Sequence, residues 1–301
     1  MNVEVLPPWR RITEKGGTLG IAFLVFIGTL LGRRMARVFL RFVVAWYVVV
    51  HASVRRASHA YLVRVQGQAT FRDVYRHVFA FAQVTLDRLF MVRGDYRPFE
   101  ITCHGYEHLR SLTDARRGAV LILAHLGSFE VMRSVSVVQA LPISVLGYFR
   151  NAERLNAALR RLNPSVDARL IEIRPHDPTF ILEVEDRIAA GEMVGTMGDR
   201  VGHDGKAVMV PFLGGEAPFP TGPYLLASVL RCPVYLAFGL YREPNRYELR
   251  CEPFAERIEL PRAGREDVLK GLAARFAARL EHHCRAAPFN WFNFYDFWTT
   301  P

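Results

Sequence analysis

The chain has 301 residues, half of them apolar and 23% charged, with a mean hydropathy of +0.08. This composition is globular and excludes a disordered, collagenous or disulfide-stapled chain; at about 100 to 200 residues per domain, the length suits one large α/β domain or two small ones. Cys103, Cys232, Cys251 and Cys284 show no C-x-x-C spacing, so neither a zinc ribbon nor a disulfide framework is expected, and a reducing compartment is the default. The net charge of +10 sits in residues 1–99, where 14 arginines and Lys15 face five acidic residues; the remainder is balanced. A basic nucleic-acid arm is polar and flexible. Here residues 19–31 (LGIAFLVFIGTLL) and 42–50 (FVVAWYVVV) interleave with the arginines, which suits anionic headgroups and acyl chains and argues against nucleic acid as the partner.

Residues 16–32 form an uncharged run of 17, at the short limit of the roughly 17 to 25 needed to cross a bilayer. The run ends in Gly32-Arg33-Arg34 without a small-residue cleavage site, so an uncleaved membrane-associated helix is expected. Arginines flank it on both sides and give no orientation, which favours a helix lying in one leaflet with its arginines snorkelling; a buried core helix is the competing reading. Residues 1–95 are read as this anchor followed by a helical region in which Val74, Val78, Phe81, Thr85, Leu86 and Leu89 make a core stripe. A turn cluster at 94–98 then opens an α/β unit, residues 96–301, with a mixed central sheet flanked by helices. Strands are expected at 99–103, 118–124, 193–197, 233–240 and 246–251, and the run GAVLILA at 118–124 reads as buried on both faces. Helices are expected after a Ser128 cap, from Asp177-Pro178 to Gly191, and over 223–230 and 266–285.

The chemistry concentrates at residues 124–130 (AHLGSFE), where a buried strand gives way to a helix N-terminus, the place where open α/β sheets put ligands. His125 and Glu130 are five residues apart, about 140° off one helix face. They meet only if His125 stands in the turn and Glu130 in the first helical turn. In that arrangement the carboxylate accepts the Nδ1 proton and leaves Nε2 as a base. Taken alone, the histidine reads equally as a satisfied structural residue.

Further motifs agree in order along the chain. The H-x-x-x-x-E box after a buried strand resembles that of the glycerolipid acyltransferases, and its flanks resemble the late acyltransferases of lipid A biosynthesis, which also carry a basic N-terminal membrane helix. Gly147-Tyr148-Phe149-Arg150-Asn151-Ala152-Glu153 is similar to that family's second block. Gly198-Asp199-Arg200, with the following stretches 210–215 (VPFLGG) and 219–223 (FPTGP), is similar to the third, and Cys232-Pro233-Val234-Tyr235 to the last. Asp199-Arg200 stands where glycerol-phosphate acyltransferases carry E-G-T-R, which argues against a glycerol-phosphate acceptor. The ending at 289–298 (FNWFNFYDFW) resembles a divergent branch of the lipid A group. Its aromatics read equally as a core seal and as a pocket wall.

The resemblance implies O-acyl transfer from an acyl thioester, carried by acyl carrier protein or coenzyme A, to a hydroxyl of a lipid A-like glycolipid or another polar lipid. It implies His125 as general base and Glu130 as its orienting carboxylate, with Arg150, Glu153, Asp199, Arg200 and Gly222 binding substrate. No cofactor and no metal are required. The implied location is the cytoplasmic face of the bacterial inner membrane, held by a single N-terminal helix. Two alternatives stand beside it: a non-catalytic basic protein of the membrane surface, and a zinc hydrolase using His104, Glu107 and His108, whose letters match H-x-x-E-H. The run His282-His283-Cys284 reads as a solvated helix end.

Overall fold

A computed structural model describes residues 28, 30, 32–147, 169–173, 177–202 and 205–298. Of the expected membrane helix at 16–32, only Gly28, Leu30 and Gly32 fall among them; Arg150 and Glu153 lie outside. The described chain opens with α1 (Gly32–Val50), α2 (Ala52–Gln66) and α3 (Phe71–Val92). Left-handed Gly67 closes α2 by donating to the Val63 carbonyl, and a reciprocal Thr70–Asp73 capping box opens α3.

The α/β part holds β1 (Glu100–His104), α4 (Tyr106–Asp114), β2 (Ala119–Gly127), α5 (Phe129–Val138), β3 (Ile143–Gly147), β4 (Leu170–Glu172), α6 (Phe180–Ala189) and β5 (Met193–Met197). It continues with β6 (Ala207–Phe212), β7 (Gly215–Pro220), α7 (Gly222–Leu230), β8 (Val234–Arg242), β9 (Arg246–Ala255) and α8 (Arg265–Ala286). Seven strands form one sheet in the order β1-β9-β8-β2-β5-β3-β4, with β6 and β7 a separate hairpin. Every neighbouring pair in the large sheet is parallel except β8 with β9, so the sheet is mixed as expected.

Alternation along β2 explains its uninterrupted apolar run. Val120, Ile122, Ala124 and Leu126 enter the cluster built with α1–α3, α8 and the β6–β7 hairpin. Leu121 and Leu123 enter the opposite one, against Leu109 and Leu112 of α4 and Phe129 and Met132 of α5. The N-terminal helices and the sheet thus share one hydrophobic cluster.

Two local expectations change. The helix expected from Asp177-Pro178 starts at Phe180 instead, because the Asp177 carboxylate takes up the Thr179 N–H (3.0 Å) and hydroxyl in a turn that precedes it. His283 and Cys284 are buried, not solvated: His283 lies against the Phe238 ring and bonds Glu252 at 2.9 Å.

On α1, Ala36, Leu40, Val44 and Val48 are buried, while Met35, Phe42, Trp46 and Val49 are 52–70% exposed. Both faces are therefore apolar. Among the described residues no single helix is long and apolar enough to cross a membrane; α1 and α2 reach that only together, bent by 95°.

Arg33 of α1 makes a bidentate pair with Asp87 of α3 (2.7 and 2.9 Å), to which the Tyr247 hydroxyl also donates (2.7 Å). Arg33 donates further to the Pro244 carbonyl (2.7 Å), so α1, α3 and the β8–β9 turn are tied together in a place with almost no solvent. Asp87→Asn leaves the guanidinium buried without its counter-charge and is expected to cost about 3 to 5 kcal/mol in thermal or denaturant unfolding.

Candidate active site

At its C-terminal end β2 swells: Leu123 pairs with Ala237 but Gly127 pairs with Gly239, four residues of β2 against two of β8. Gly127 has φ +67°, and a Cβ there would lie 1.9 Å from the Gly239 carbonyl oxygen, so only glycine fits. The segment after α8 pairs with the swollen end. Phe292 donates its N–H to the His125 carbonyl (2.8 Å), Gly127 donates to that of Asn290 (2.7 Å), and Leu126 bridges Trp291. Asn290 is itself fixed, its amide bonding both the N–H (2.6 Å) and carbonyl (3.0 Å) of Tyr241.

His125 stands between Ala124 and Leu126, which face the helical core. Its Nδ1 lies 2.7 Å from Oδ1 of Asp199, a carboxylate with no exposed surface on the loop after β5. The other oxygen, Oδ2, accepts three bonds: from the His125 backbone N–H (3.0 Å), the Trp291 indole N–H (2.9 Å) and the Asn293 amide (3.2 Å). Gly198 permits this approach, because a Cβ there would stand 2.5 Å from Ile122 Cγ2. Burial pulls the Asp199 carboxyl upward, but His125 and Arg200 outweigh it and hold it down to about 2. The ionised carboxylate fixes the proton on Nδ1, leaving Nε2 as an acceptor with no hydrogen-bond partner among the described residues. Burial first, then Arg200, lower the imidazole below its ordinary value against the pull of Asp199.

The expected partner of His125 is therefore replaced. Glu130, in the first turn of α5 and almost fully buried, turns toward α3, where Arg88 pairs with its carboxylate (3.2 Å), and Arg133 one turn on in α5 pairs with it as well. Burial raises that carboxyl, and the two arginines more than compensate. Ser128 caps α5 as expected, accepting from the Val131 N–H at 3.3 Å. Arg200 is anchored through Nε to Asn293 (2.6 Å) and through Nη2 to the Phe292 carbonyl (3.0 Å), with its guanidinium beside the Tyr295 ring. Gly222 is exposed at the start of α7, and a Cβ there would meet nothing within 4 Å.

The letters of H-x-x-E-H are split. His104 ends β1, Gly105 is left-handed, and Glu107 and His108 begin a helix, so no common helical face exists. Sequence reasoning also gave no site role to Trp291, Asn293 or Asn290. Their signal is three polar-capable residues inside an aromatic run, legible only once its register with β2 is known.

Leu109, Leu121, Leu123, Phe129, Met132 and Ala237 line a cleft of about 620 Å³, counting the space open to solvent, with Arg133 in its wall. His125, Asp199 and Arg200 are not among the residues that line it. An imidazole with one nitrogen fixed by a carboxylate and the other an acceptor is equipped to take a proton from a hydroxyl.

This chain belongs to the bacterial lipid A biosynthesis acyltransferase family, whose sequence profile matches residues 8–300, and the protein is accordingly an acyltransferase. A comparison with individually curated proteins gives no match.

Because the base must be neutral and its pKa is lowered, the acid limb of kcat/KM is expected below the ordinary imidazole value of about 6.5. A pH–rate profile with its acid midpoint above that value contradicts the environment described for His125.

Proposed function

We propose that the protein moves a fatty acyl group from an acyl thioester, carried by acyl carrier protein or coenzyme A, to a hydroxyl of a lipid A-like glycolipid or a related polar lipid. The observation that carries this reading is the 2.7 Å contact between His125 and Asp199 at the C-terminal end of β2. His125 Nε2 takes the proton of the acceptor hydroxyl, whose oxygen attacks the thioester carbonyl. Asp199 holds the ring and stabilises the imidazolium. The oxyanion of the tetrahedral intermediate is met by Arg200, whose Nη1 has no hydrogen-bond partner among the described residues, and by N–H groups at the start of α5. Collapse breaks the C–S bond, the imidazolium returns its proton to the thiolate, and an ester and a free thiol leave. The acyl chain of the donor occupies the apolar cleft.

Glu130 serves this site by holding α5 to α3 through Arg88. Arg150 and Glu153 remain assigned to substrate through the family pattern alone. The enzyme works at the cytoplasmic face of the bacterial inner membrane, attached by its N-terminal segment and by the outward face of α1, where Met35, Phe42, Trp46 and Val49 meet acyl chains and exposed Arg34 and Arg41 meet headgroups.

In an assay with purified protein, labelled acyl thioester and lipid acceptors, His125→Ala and Asp199→Asn are each expected to lose about 10²- to 10⁴-fold in transfer at an unchanged fold. Wild-type turnover by either variant overturns the mechanism. For the membrane face, replacing Phe42 and Trp46 together with glutamate is expected to weaken sedimentation with anionic vesicles at least about tenfold, with the melting temperature kept. Undiminished binding assigns attachment to the segment before α1.

A further inference from the structure

Oδ2 of Asp199 is held from a direction that the acyl-transfer step does not use. Trp291, with no exposed surface, donates its indole N–H there, and its backbone carbonyl is bonded by Nε2 of His77 at 2.9 Å. A carbonyl only accepts, so Nε2 of His77 carries the proton and Nδ1 accepts from the Ser58 hydroxyl at 2.9 Å. A continuous chain results: Ser58 of α2, His77 of α3, Trp291, Asp199, His125. Burial lowers the His77 ring to about 4 and keeps it neutral, so this arm carries no net charge toward the site. The indole is packed by Tyr61, Phe212 and Phe297, with centroids 4.7 to 5.2 Å away.

We infer that Trp291 and His77 are positioning residues for acyl transfer, Trp291 fixing the carboxylate plane of Asp199 through Oδ2 and His77 fixing Trp291. The inference rests on the reading of His125 and Asp199 as the base and its orienting acid. Its physical content is a distribution of charge. While three donors share Oδ2, less negative charge is directed at the imidazole through Oδ1, and the ring stays a neutral base. Removing the indole N–H concentrates that charge on His125 and favours its imidazolium. Among the described residues, the other groups that act on the pair are Arg200 on the same loop, Tyr295 on the segment after α8 and Cys284 of α8; none of them is altered by the substitutions below.

The test reads His125 directly, through the pH dependence of its modification by diethyl pyrocarbonate in the full-length protein, followed by mass spectrometry of the peptide. Trp291→Phe keeps a ring and removes the donor; His77→Leu removes both bonds of the middle link, and His77→Gln retains a donor for the Trp291 carbonyl. In Trp291→Phe and His77→Leu the midpoint is expected to rise by about half a pH unit or more, and the acid limb of kcat/KM to move with it, while His77→Gln returns toward the wild type. The His77 pair carries the same test if the tryptophan cavity prevents folding. Midpoints that coincide with the wild type in folded Trp291→Phe or His77→Leu overturn the inference, whatever happens to kcat. A raised midpoint in a protein that transfers no acyl group supports the positioning chain and removes the functional reading instead.

Discussion

A carboxylate with no exposed surface must have every lone pair answered or give up its charge, and Asp199 keeps its charge. Four donors do the answering, two from His125 and two from the segment after α8. Much of the local backbone serves this convergence. The swelling at the end of β2 presents both the N–H and the ring of His125 to one carboxylate. Gly198 brings the loop after β5 against Ile122, and Asn290 ties the returning segment to β8. In a region of low dielectric these bonds reinforce one another, and the loss of any one is correspondingly costly.

Helix α3 transmits order from the N-terminal layer to that convergence. Its adjacent residues Asp87 and Arg88 face opposite ways, the first to Arg33 of α1, the second to Glu130 at the start of α5. Two turns and more earlier, His77 reaches Trp291. One helix therefore carries an ion pair to the buried face of α1 and two polar links toward the strand end. The nearly complete burial of both carboxylates means that each tie is made where a lost partner cannot be replaced by water.

The sheet was legible because runs such as GAVLILA have no polar residue to hide, and because glycine and proline punctuate them; β2, β5, β8 and β9 fall where the apolar and alternating stretches lie. His125 was legible for a related reason: a histidine directly after a doubly buried strand stands where such sheets open. Its partner was not. Glu130 is near in sequence, but a residue in the first turn of a helix faces whatever packs on that helix, here α3. Arg133, three residues on, was the local sign that Glu130 had another partner. Asp199 is 74 residues away and meets His125 only because β2 and β5 are parallel neighbours with both C-terminal ends on one side. The aromatic ending was open between core and pocket wall. Trp291 and Phe297 seal the core, and the same tryptophan supports the site, a double role that depends on a register no composition reveals.

The pairing of residues 290–293 with the end of β2 also has a consequence in time. During synthesis, β2, α5 and β5 leave the ribosome long before Trp291 and Asn293, so His125 and Asp199 exist in the nascent chain without two of the carboxylate's four donors. Until those residues emerge, a buried Asp199 is under-compensated and the pair has no reason to close. The basic, apolar N-terminal part emerges while two of those four donors are still unmade. Chain completion thus acts as the last assembly step of the His125–Asp199 pair, and a chain that stops before residue 291 lacks two of the four donors that hold its carboxylate.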